Sequence, residues 1–211
     1  MTSYKILLFG PQGSGKGTQG EKLAEYLNIP LIVTGNIFRS NIKEKTELGK
    51  KAQTFINKGE LVPDSLTIEM IADRLNQSDC VNGFILDGFP RNITQARALE
   101  EIVKISHVLL IGINDKESIR RIGGRRACLN CGMTYHKAYK APKREGICDG
   151  CGNELAQRAD DTKEALEIRL AIYHKESEPI LDKYEQMGLL HRVNGLPSIN
   201  EVWENVKEIF S

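Results

Sequence analysis

The sequence lacks an excess of charge of either sign. Its 211 residues include 29 Lys and Arg against 28 Asp and Glu, a formal net charge of +1. Proteins that bind nucleic acid or a membrane surface through their overall field are usually strongly charged. We therefore expect neither partner, and any anion-binding site must be local.

Long hydrophobic runs are also missing. The longest apolar run, around Val108 to Ile113, is far shorter than the ~20 residues that a membrane-spanning helix needs. The chain enters an apolar, strand-like pattern by residue 4, without a basic and apolar leader before it. We expect a globular, cytoplasmic protein. The sequence shows no low-complexity tract and no internal repeat beyond two cysteine motifs.

Cysteine is too scarce for a disulfide scaffold, since the chain has five. Four of them form two C-x2-C pairs, each followed by glycine, and 16 residues separate the pairs. Four thiolates fill a tetrahedral shell and leave no position for water, so we expect a structural metal rather than a catalytic one. Zinc is the first choice, iron or cobalt would also suit four sulfur ligands, and a disulfide pair or a set of reactive thiols is the alternative. The predicted ligands are Cys128, Cys131, Cys148 and Cys151, whereas Cys80 is expected to be a small buried side chain.

What the sequence does contain is an alternation of short apolar runs and segments with helical periodicity. This alternation predicts a doubly wound α/β fold with a parallel five-stranded sheet. Asp64 and Asp115 are expected to cap helices, and Ser198 with Glu201 fits a capping box. Residues 125–160 break the alternation and are too long for a simple connection, so they read as an inserted subdomain. The predicted strands are Tyr4 to Phe9, Leu31 to Val33, Phe84 to Leu86, Val108 to Ile113 and Leu189 to Val193; the predicted helices are Lys16 to Leu27, Asn36 to Lys43, Glu47 to Asn57, Asp64 to Gln77, Ile93 to Lys104, Lys116 to Ile122, Asp161 to Met187 and Ser198 to Phe210.

A glycine-rich loop joins the first strand to the first helix. Gly10, Gly15 and Lys16 fit the G-x4-G-K pattern of a phosphate-binding loop in the required strand–loop–helix context. Its glycines let backbone N–H groups converge on an anion at the positive end of the helix. The alternative is a glycine-rich turn that only starts the helix. The usual Ser or Thr after the lysine is Gly17 here, with Thr18 next, and this G-K-G-T variant is typical of nucleoside monophosphate kinases.

With these motifs the chain resembles the bacterial adenylate kinases that have a long, metal-binding lid. Two positions depart from the family pattern, Gln12 where the loop usually has proline and Asn36 where T-G-D has aspartate. Neither change removes a phosphate-binding group. The resemblance extends over nearly the whole chain, through Gly10 to Thr18, TGNIFR (34–39), GELVPD (59–64), GFILDGFPRNITQA (83–96), RIGGRR (121–126), the cysteine pairs, RADD (158–161) and VNG (193–195).

The resemblance implies a fold, an activity and a division into domains. The fold is that of a P-loop NTPase with an inserted, zinc-ribbon-like lid. The activity is reversible, Mg-dependent transfer of the ATP γ-phosphoryl group to AMP, in line and without a covalent intermediate, which gives two ADP and serves adenine nucleotide homeostasis and salvage. A monomer is implied. The core would comprise residues 1–33, 63–124 and 161–211, with an AMP-binding insertion at 34–62 and the lid at 125–160.

The resemblance also implies the site residues. Arginine suits phosphate because its planar fork binds two oxygens at once. The catalytic set is Lys16, Asp87, Arg91, Arg125, Arg158 and Arg169. ATP would be held by Gly13, Ser14, Gly15, Lys16, Gly17, Thr18, Arg121, Arg125, Thr134, Tyr135 and Pro197. AMP would be held by Thr34, Arg39, Glu60, Leu61, Val62, Gly88, Phe89, Pro90, Arg91, Gln95, Arg158 and Arg169.

Each of three aspartates has a functional role and a structural alternative. Asp87 ends a buried strand, where it would hold Mg²⁺ through water or cap the next turn. Asp160 and Asp161 would hydrogen-bond the lid hinge or cap the following helix. No general base is required, because an AMP phosphate with a second pKa near ~6 is largely ionised at neutral pH.

Two other functions remain open at this point. The first is a kinase for uridylate, cytidylate or guanylate, since Gln95 and GELVPD favour adenine through the resemblance alone. The second is a zinc-ribbon nucleic-acid-binding module on a nucleotide switch, suggested by Lys137, Lys140, Lys143 and Arg144 around the cysteine pairs. The near-neutral charge and the absence of a long basic stripe argue against the second.

Overall fold

The computed structural model describes residues 3–58 and 62–211. Five of its strands form one parallel sheet in the order β2-β3-β1-β4-β8, as the alternation predicts. Two strands have the predicted bounds, and the other three differ from the prediction by one residue at each end. The strands are β1 (Tyr4–Phe9), β2 (Leu31–Val33), β3 (Gly83–Asp87), β4 (His107–Gly112), β5 (Arg125–Cys128), β6 (Thr134–His136), β7 (Leu155–Ala156) and β8 (Leu190–Asn194).

Helices cover both faces of this sheet, so alternate residues of each central strand enter different cores. Leu7 and Phe9 of β1 belong to one apolar cluster, and Ile6 and Leu8 belong to the other. This explains why the central strands are apolar at nearly every position. The helices are α1 (Lys16–Leu27), α2 (Thr34–Lys43), α3 (Glu47–Lys58), α4 (Asp64–Leu75), α5 (Ile93–Ile102), α6 (Asp115–Gly124), α7 (Lys163–Ile172), α8 (Glu178–Gln186) and α9 (Ile199–Ile209), with a 3-10 turn at Ser78–Cys80.

The helix starts correct two of the predicted caps. Asp115 is the first residue of α6, whose cap is Asn114 through a bond from the Glu117 N–H to its side chain. Asp64 makes no cap bond at α4; it accepts hydrogen bonds from the Asn92 and Gln95 side chains. A carboxylate in the first helical turn is stabilised by the helix dipole whether or not it caps, so sequence does not separate the two positions. The capping box of Ser198 and Glu201 is confirmed.

The helix predicted over 161–187 is divided in two. Thr162 caps α7 by accepting from the Ala165 N–H, so the capping alternative for Asp161 is wrong. A π-helical turn, Tyr173–Ser177, separates α7 from α8, which has a proline in its first turn. Proline cannot donate a backbone hydrogen bond, and a local widening of the helix accommodates that loss.

Two insertions stand at one end of the sheet. In the first, α2 and α3 enclose a small apolar cluster of Phe38, Ala52 and Val62. The second is the predicted lid, a three-stranded antiparallel sheet in the order β6-β5-β7.

No helix in the described part of the chain is long and apolar enough to cross a membrane.

Candidate functional site

A cavity of about 600 Å³ lies beyond the carboxyl ends of the central strands, beneath both insertions. Open parallel sheets commonly bind ligands at this edge. Among the described residues, nine cationic side chains line the cavity against three carboxylates, Glu21, Asp87 and Asp160. The overall charge of +1 therefore conceals a strongly positive pocket, as expected for a local anion site.

The glycine-rich loop forms one wall of this cavity. Gly13 and Gly15 have φ values of +78° and +94°, which a glycine adopts without strain. Gly15 directly precedes α1, so the loop presents its backbone at the positive end of that helix. The hydroxyl oxygen of Ser14 is buried here without a hydrogen-bond partner in the described part of the chain. This arrangement supports the phosphate-loop interpretation over a plain turn.

Lys16 extends from the loop into the same cavity. Its ammonium donates to the Pro11 carbonyl at 3.2 Å. Burial lowers the pKa of Lys16 to about 8; Asp87 opposes this shift, while Arg169, Arg91 and Arg125 add to it. The lysine thus lies among other positive charges, and an anionic ligand would reduce the repulsion between them.

Asp87 at the end of β3 is 7% exposed, and its Oδ1 atom has no hydrogen-bond partner among the described residues. That oxygen therefore does not cap the next turn. Its Oδ2 atom lies 4.0 Å from where a Cβ at Gly17 would stand, so the carboxylate faces the loop directly. A buried carboxylate with a free oxygen beside a phosphate loop fits the water-mediated binding of Mg²⁺.

Arg91 is held by its own loop. Its Nε donates to the Gly88 carbonyl at 2.8 Å, and its backbone N–H donates to Gln95 Oε1 at 2.8 Å. The Ser177 hydroxyl, in the π-helical turn, donates to the Arg91 carbonyl at 2.9 Å. Burial lowers the pKa of Arg91, an effect that Asp87 and Asp160 oppose. The remaining guanidinium nitrogens make no hydrogen bond to a residue that the structure describes, so they are available to a ligand.

Arg39 and Arg158 approach from the two insertions. Burial lowers the pKa of Arg158 to about 9, and the charges of Arg39 and Arg125 lower it further. Burial likewise lowers the pKa of Arg39. Arg158 donates to Thr134 Oγ1 at 3.2 Å, and its buried Nε has no partner in the described part of the chain. Neither arginine is ion-paired with a residue that the structure describes, so both charges are available to phosphate.

Arg125 and Arg169, in contrast, are ion-paired at the base of the lid. Arg125 makes a two-pronged contact with Asp161, and Arg169 lies 2.9 Å from Asp160 Oδ2. Burial alone would raise the pKa of Asp160, but the charges of Arg169, Arg125, Arg158 and Arg39 outweigh it and lower the pKa. These contacts support the hinge interpretation of both aspartates.

Most of the residues expected to hold AMP line the cavity, with exceptions. Phe89 does not line it; its side chain is 1% exposed and packs in the core, and a cis peptide bond follows it. Glu60 and Leu61 lie outside the described residues. Gln95 lines the cavity, but its amide is engaged by the Arg91 N–H and by Asp64 Oδ1. The other lining residues from this set are Thr34, Arg39, Val62, Gly88, Pro90, Arg91, Arg158 and Arg169.

The residues expected to hold ATP all line the cavity, although Tyr135 does so differently. Its hydroxyl points into the lid, where it accepts from the Asp149 N–H at 2.7 Å. Tyr139, which the sequence analysis missed, also lines the cavity, and its ring lies 5.4 Å and 5.8 Å from the guanidinium carbons of Arg120 and Arg121. The sequence contained a signal for Tyr139, because it is an aromatic residue a few positions after the predicted ATP-binding residues Thr134 and Tyr135. The lining residues from this set are Gly13, Ser14, Gly15, Lys16, Gly17, Thr18, Arg121, Arg125, Thr134, Tyr135 and Pro197.

The four lid cysteines converge as predicted. Their Sγ atoms all lie within 4.8 Å of one another, with Cys128 3.4 Å from Cys151 and Cys131 3.5 Å from Cys148. These distances exceed the ~2.05 Å of a disulfide bond, and all four thiols are free. Sulfur atoms at this spacing fit a tetrahedral metal such as zinc.

The turns after each cysteine pair explain this convergence. In each turn the glycine N–H donates back to the first cysteine's carbonyl at 2.9 Å, Gly132 to Cys128 and Gly152 to Cys148. Both glycines have positive φ, +79° and +73°. Hydrogen bonds from the backbone and side chain of Asn153 lower the pKa of Cys151 to about 6, which favours the thiolate that a metal binds.

Comparisons with known proteins agree with this geometry. The family model described as adenylate kinase matches residues 8–189. The chain is 48% identical over 210 residues to the adenylate kinase of Clostridium botulinum strain Hall, covering 97% of each chain. It is 48% identical over 208 residues to that of Methanocella arvoryzae, covering 96% of each, and 46% identical over 207 residues to that of Agathobacter rectalis, covering 96% of this chain and 97% of the relative. The chain belongs to the adenylate kinase family.

Proposed function

We propose that this protein transfers the γ-phosphoryl group of ATP to AMP and so forms two ADP. The observation that carries the proposal is the placement of Lys16 around one cavity with three arginines that have no ion-pair partner among the described residues, Arg39, Arg91 and Arg158. A transferring phosphoryl group spreads negative charge over its oxygens, and fixed cations stabilise that charge. We expect donor and acceptor to bind together in this one cavity.

In this transfer the chain would position the two nucleotides and neutralise the charge of their phosphates. Lys16 and the loop N–H groups would hold the ATP phosphates, and Arg39 and Arg91 would hold the phosphate of AMP. Arg125, Arg158 and Arg169 would contact the phosphoryl group as it passes from ATP to AMP. Donor and acceptor held in line make a covalent intermediate unnecessary. Asp87, through water, would hold Mg²⁺, which when bound neutralises phosphate charge.

We further propose that residues 34–62 and 125–160 are covers over AMP and ATP, on a core formed by the rest of the chain. Lid closure is supported by two contacts: Lys140 of the lid lies 2.6 Å from Glu21 on α1, and Asn130 accepts from Lys43 of α2 at 2.9 Å. Closure would keep water from the phosphoryl group and so prevent ATP hydrolysis.

The four-cysteine site would hold zinc with a structural role. Four sulfur ligands leave no open position at which a metal could activate water. Beyond the cluster of Cys128, Tyr135, Cys148 and Leu155 the lid has little apolar core, so metal binding supplies much of its folding free energy. Thiolate ligands suit a reducing cytoplasm, and we expect a monomer engaged in adenine nucleotide homeostasis and salvage.

A coupled assay for ADP formed from ATP, AMP and Mg²⁺ tests the proposal. Replacing AMP in turn by GMP, CMP and UMP measures the choice of acceptor base. We expect turnover with AMP to exceed that with each of the others by at least ~10²-fold. A preference for another base would make the protein a different nucleoside monophosphate kinase. Salt-dependent binding to DNA or RNA without any phosphoryl transfer would favour the nucleic-acid module instead.

A further inference from the structure

Asn36 occupies a position between the two covers. It is the third residue of α2, and its Oδ1 atom accepts a hydrogen bond from Nη2 of Arg39 at 2.5 Å. Arg39 has no ion-pair partner among the residues that the structure describes. A neutral amide one turn earlier in the same helix thus contacts this guanidinium directly.

The other side of that amide faces the lid. A Cβ atom added at Gly132 would lie 2.8 Å from Asn36 Nδ2, 3.1 Å from Cγ and 3.3 Å from Oδ1. The lid backbone at Gly132 therefore packs closely on the Asn36 side chain, with no room for a methyl group between them. Two turns along α2, Lys43 reaches Asn130 of the same cysteine turn at 2.9 Å. One face of α2 thus packs against the turn 128–132, which contains the first cysteine pair.

We propose that Asn36 is a positioning residue that orients Arg39 toward the acceptor phosphate, and that Gly132 of the closed lid fixes Asn36 in that orientation. The proposal rests on the proposed function, in which Arg39 binds AMP. Through this contact, closure of the lid over one substrate orders an arginine of the other substrate's pocket. When the lid closes, its metal-supported turn would then contribute directly to AMP binding.

The two cysteine turns supply a matched pair of variants for the test. Gly132 and Gly152 hold the same place after their C-x2-C pairs, with φ of +79° and +73°. Alanine at either position adds similar backbone strain. Only at Gly132 would the new methyl group meet Asn36, since nothing lies within 4 Å of the Cβ position at Gly152. Melting temperature and metal content measure the backbone strain that both alanine variants share. The kinetic constants measure the additional contact with Asn36, which only the Gly132 variant makes.

Asn36→Ala should raise KM for AMP about tenfold, because a hydrogen bond to a charged group is lost, with KM for ATP nearly unchanged. Asn36→Asp keeps an acceptor for Arg39 and should restore KM for AMP to within about threefold of wild type. Gly132→Ala should raise KM for AMP and lower kcat, whereas Gly152→Ala should leave both near wild type.

The double variant decides whether Gly132 acts through Asn36. Truncation to alanine removes all three amide atoms that the new methyl group would meet, so Gly132→Ala should add little to the effect of Asn36→Ala. Additive effects, equal kinetic losses at the two glycines, or a normal KM for AMP in Asn36→Ala would each overturn the proposal. A wild-type protein that does not turn over AMP would instead overturn the proposed function, and this role with it.

Discussion

At the scale of single residues, Lys16 gives the most direct test of the phosphate site. Its ammonium lies in the cavity and contacts only the Pro11 carbonyl in the described structure, so Lys16→Met removes a charge without opening the core. We expect turnover to fall by ~10²-fold or more, as is common for such groups, with little change in melting temperature. Turnover and thermal melting on the same preparation measure this. A folded variant with near-wild-type turnover would contradict the loop assignment.

The lowered pKa of Lys16 predicts proton uptake when ATP binds. With a pKa of about 8, the lysine is roughly half deprotonated at pH 8 in the free protein. ATP phosphates stabilise its charged form, so binding at pH 8 should take up about half a proton, and binding at pH 7 much less. Calorimetry in buffers of different ionisation enthalpy measures the uptake. Lys16→Arg is the control because arginine stays charged at pH 8; equal uptake in both proteins would assign the proton elsewhere.

Arg91 separates a substrate contact from a structural one. Its Nε donates to the Gly88 carbonyl and the residue lines the cavity, so Arg91→Ala should lower turnover far more than stability. We expect at least a ~10²-fold loss in turnover and a small change in melting temperature. Arg97→Ala on the exposed face of α5 is the control and should change neither. A large melting shift with normal kinetics would make Arg91 a structural residue.

Sequence motifs located most single residues of the cavity but not their directions. Phe89 and Tyr135 were both expected to contact nucleotide, yet the Phe89 ring enters the core and the Tyr135 hydroxyl enters the lid. Which way a side chain points depends on packing against distant elements, and a local motif does not contain that information. Asn36 was noticed only as a departure from a pattern; its contact with Gly132 joins two segments far apart in sequence.

At the scale of elements, the lid depends on its metal site. Cys148→Ser removes one of four ligands beneath a sheet whose strands have two to four residues. We expect metal loss, a melting temperature lower by several degrees, and phosphoryl transfer that persists below the new transition. Metal content, melting and turnover on one sample test this. Cys80→Ser, outside the cluster, should keep the metal; unchanged melting with abolished turnover in Cys148→Ser would indicate a catalytic metal.

The central elements were predictable because each carries a strong local signal. Strands β1 and β2 have the predicted bounds, since buried parallel strands are apolar at nearly every position. The three short lid strands were missed because cross-strand pairing and the cysteine cluster hold them together, and neither produces a periodicity. The π-helical turn at Tyr173–Ser177 also keeps a helical pattern, so periodicity alone predicted one long helix.

At the scale of the whole molecule, the net charge and the site charge differ. The chain as a whole carries +1, yet nine cationic side chains and three carboxylates line the cavity among the described residues. Composition disfavours a protein with a generally basic surface, but it does not reveal this local concentration of positive charge. The folded state gathers like charges that the unfolded chain keeps apart, and this repulsion opposes folding until an anion binds.

This concentration of charge predicts that a phosphate chain without a nucleoside stabilises the protein. Tripolyphosphate should raise the melting temperature, since at 100 times its Kd a ligand adds about 2.7 kcal/mol, or several degrees for a chain of this size. Adenosine, which has no charge, should raise it much less at equal concentration. Thermal melting of wild type and of Arg97→Ala should show the same shift with tripolyphosphate, and Lys16→Met and Arg91→Ala should show a reduced one. An equal shift in all four proteins would place the anion outside this cavity, and no shift in wild type would mean that its cations do not act together as a phosphate site.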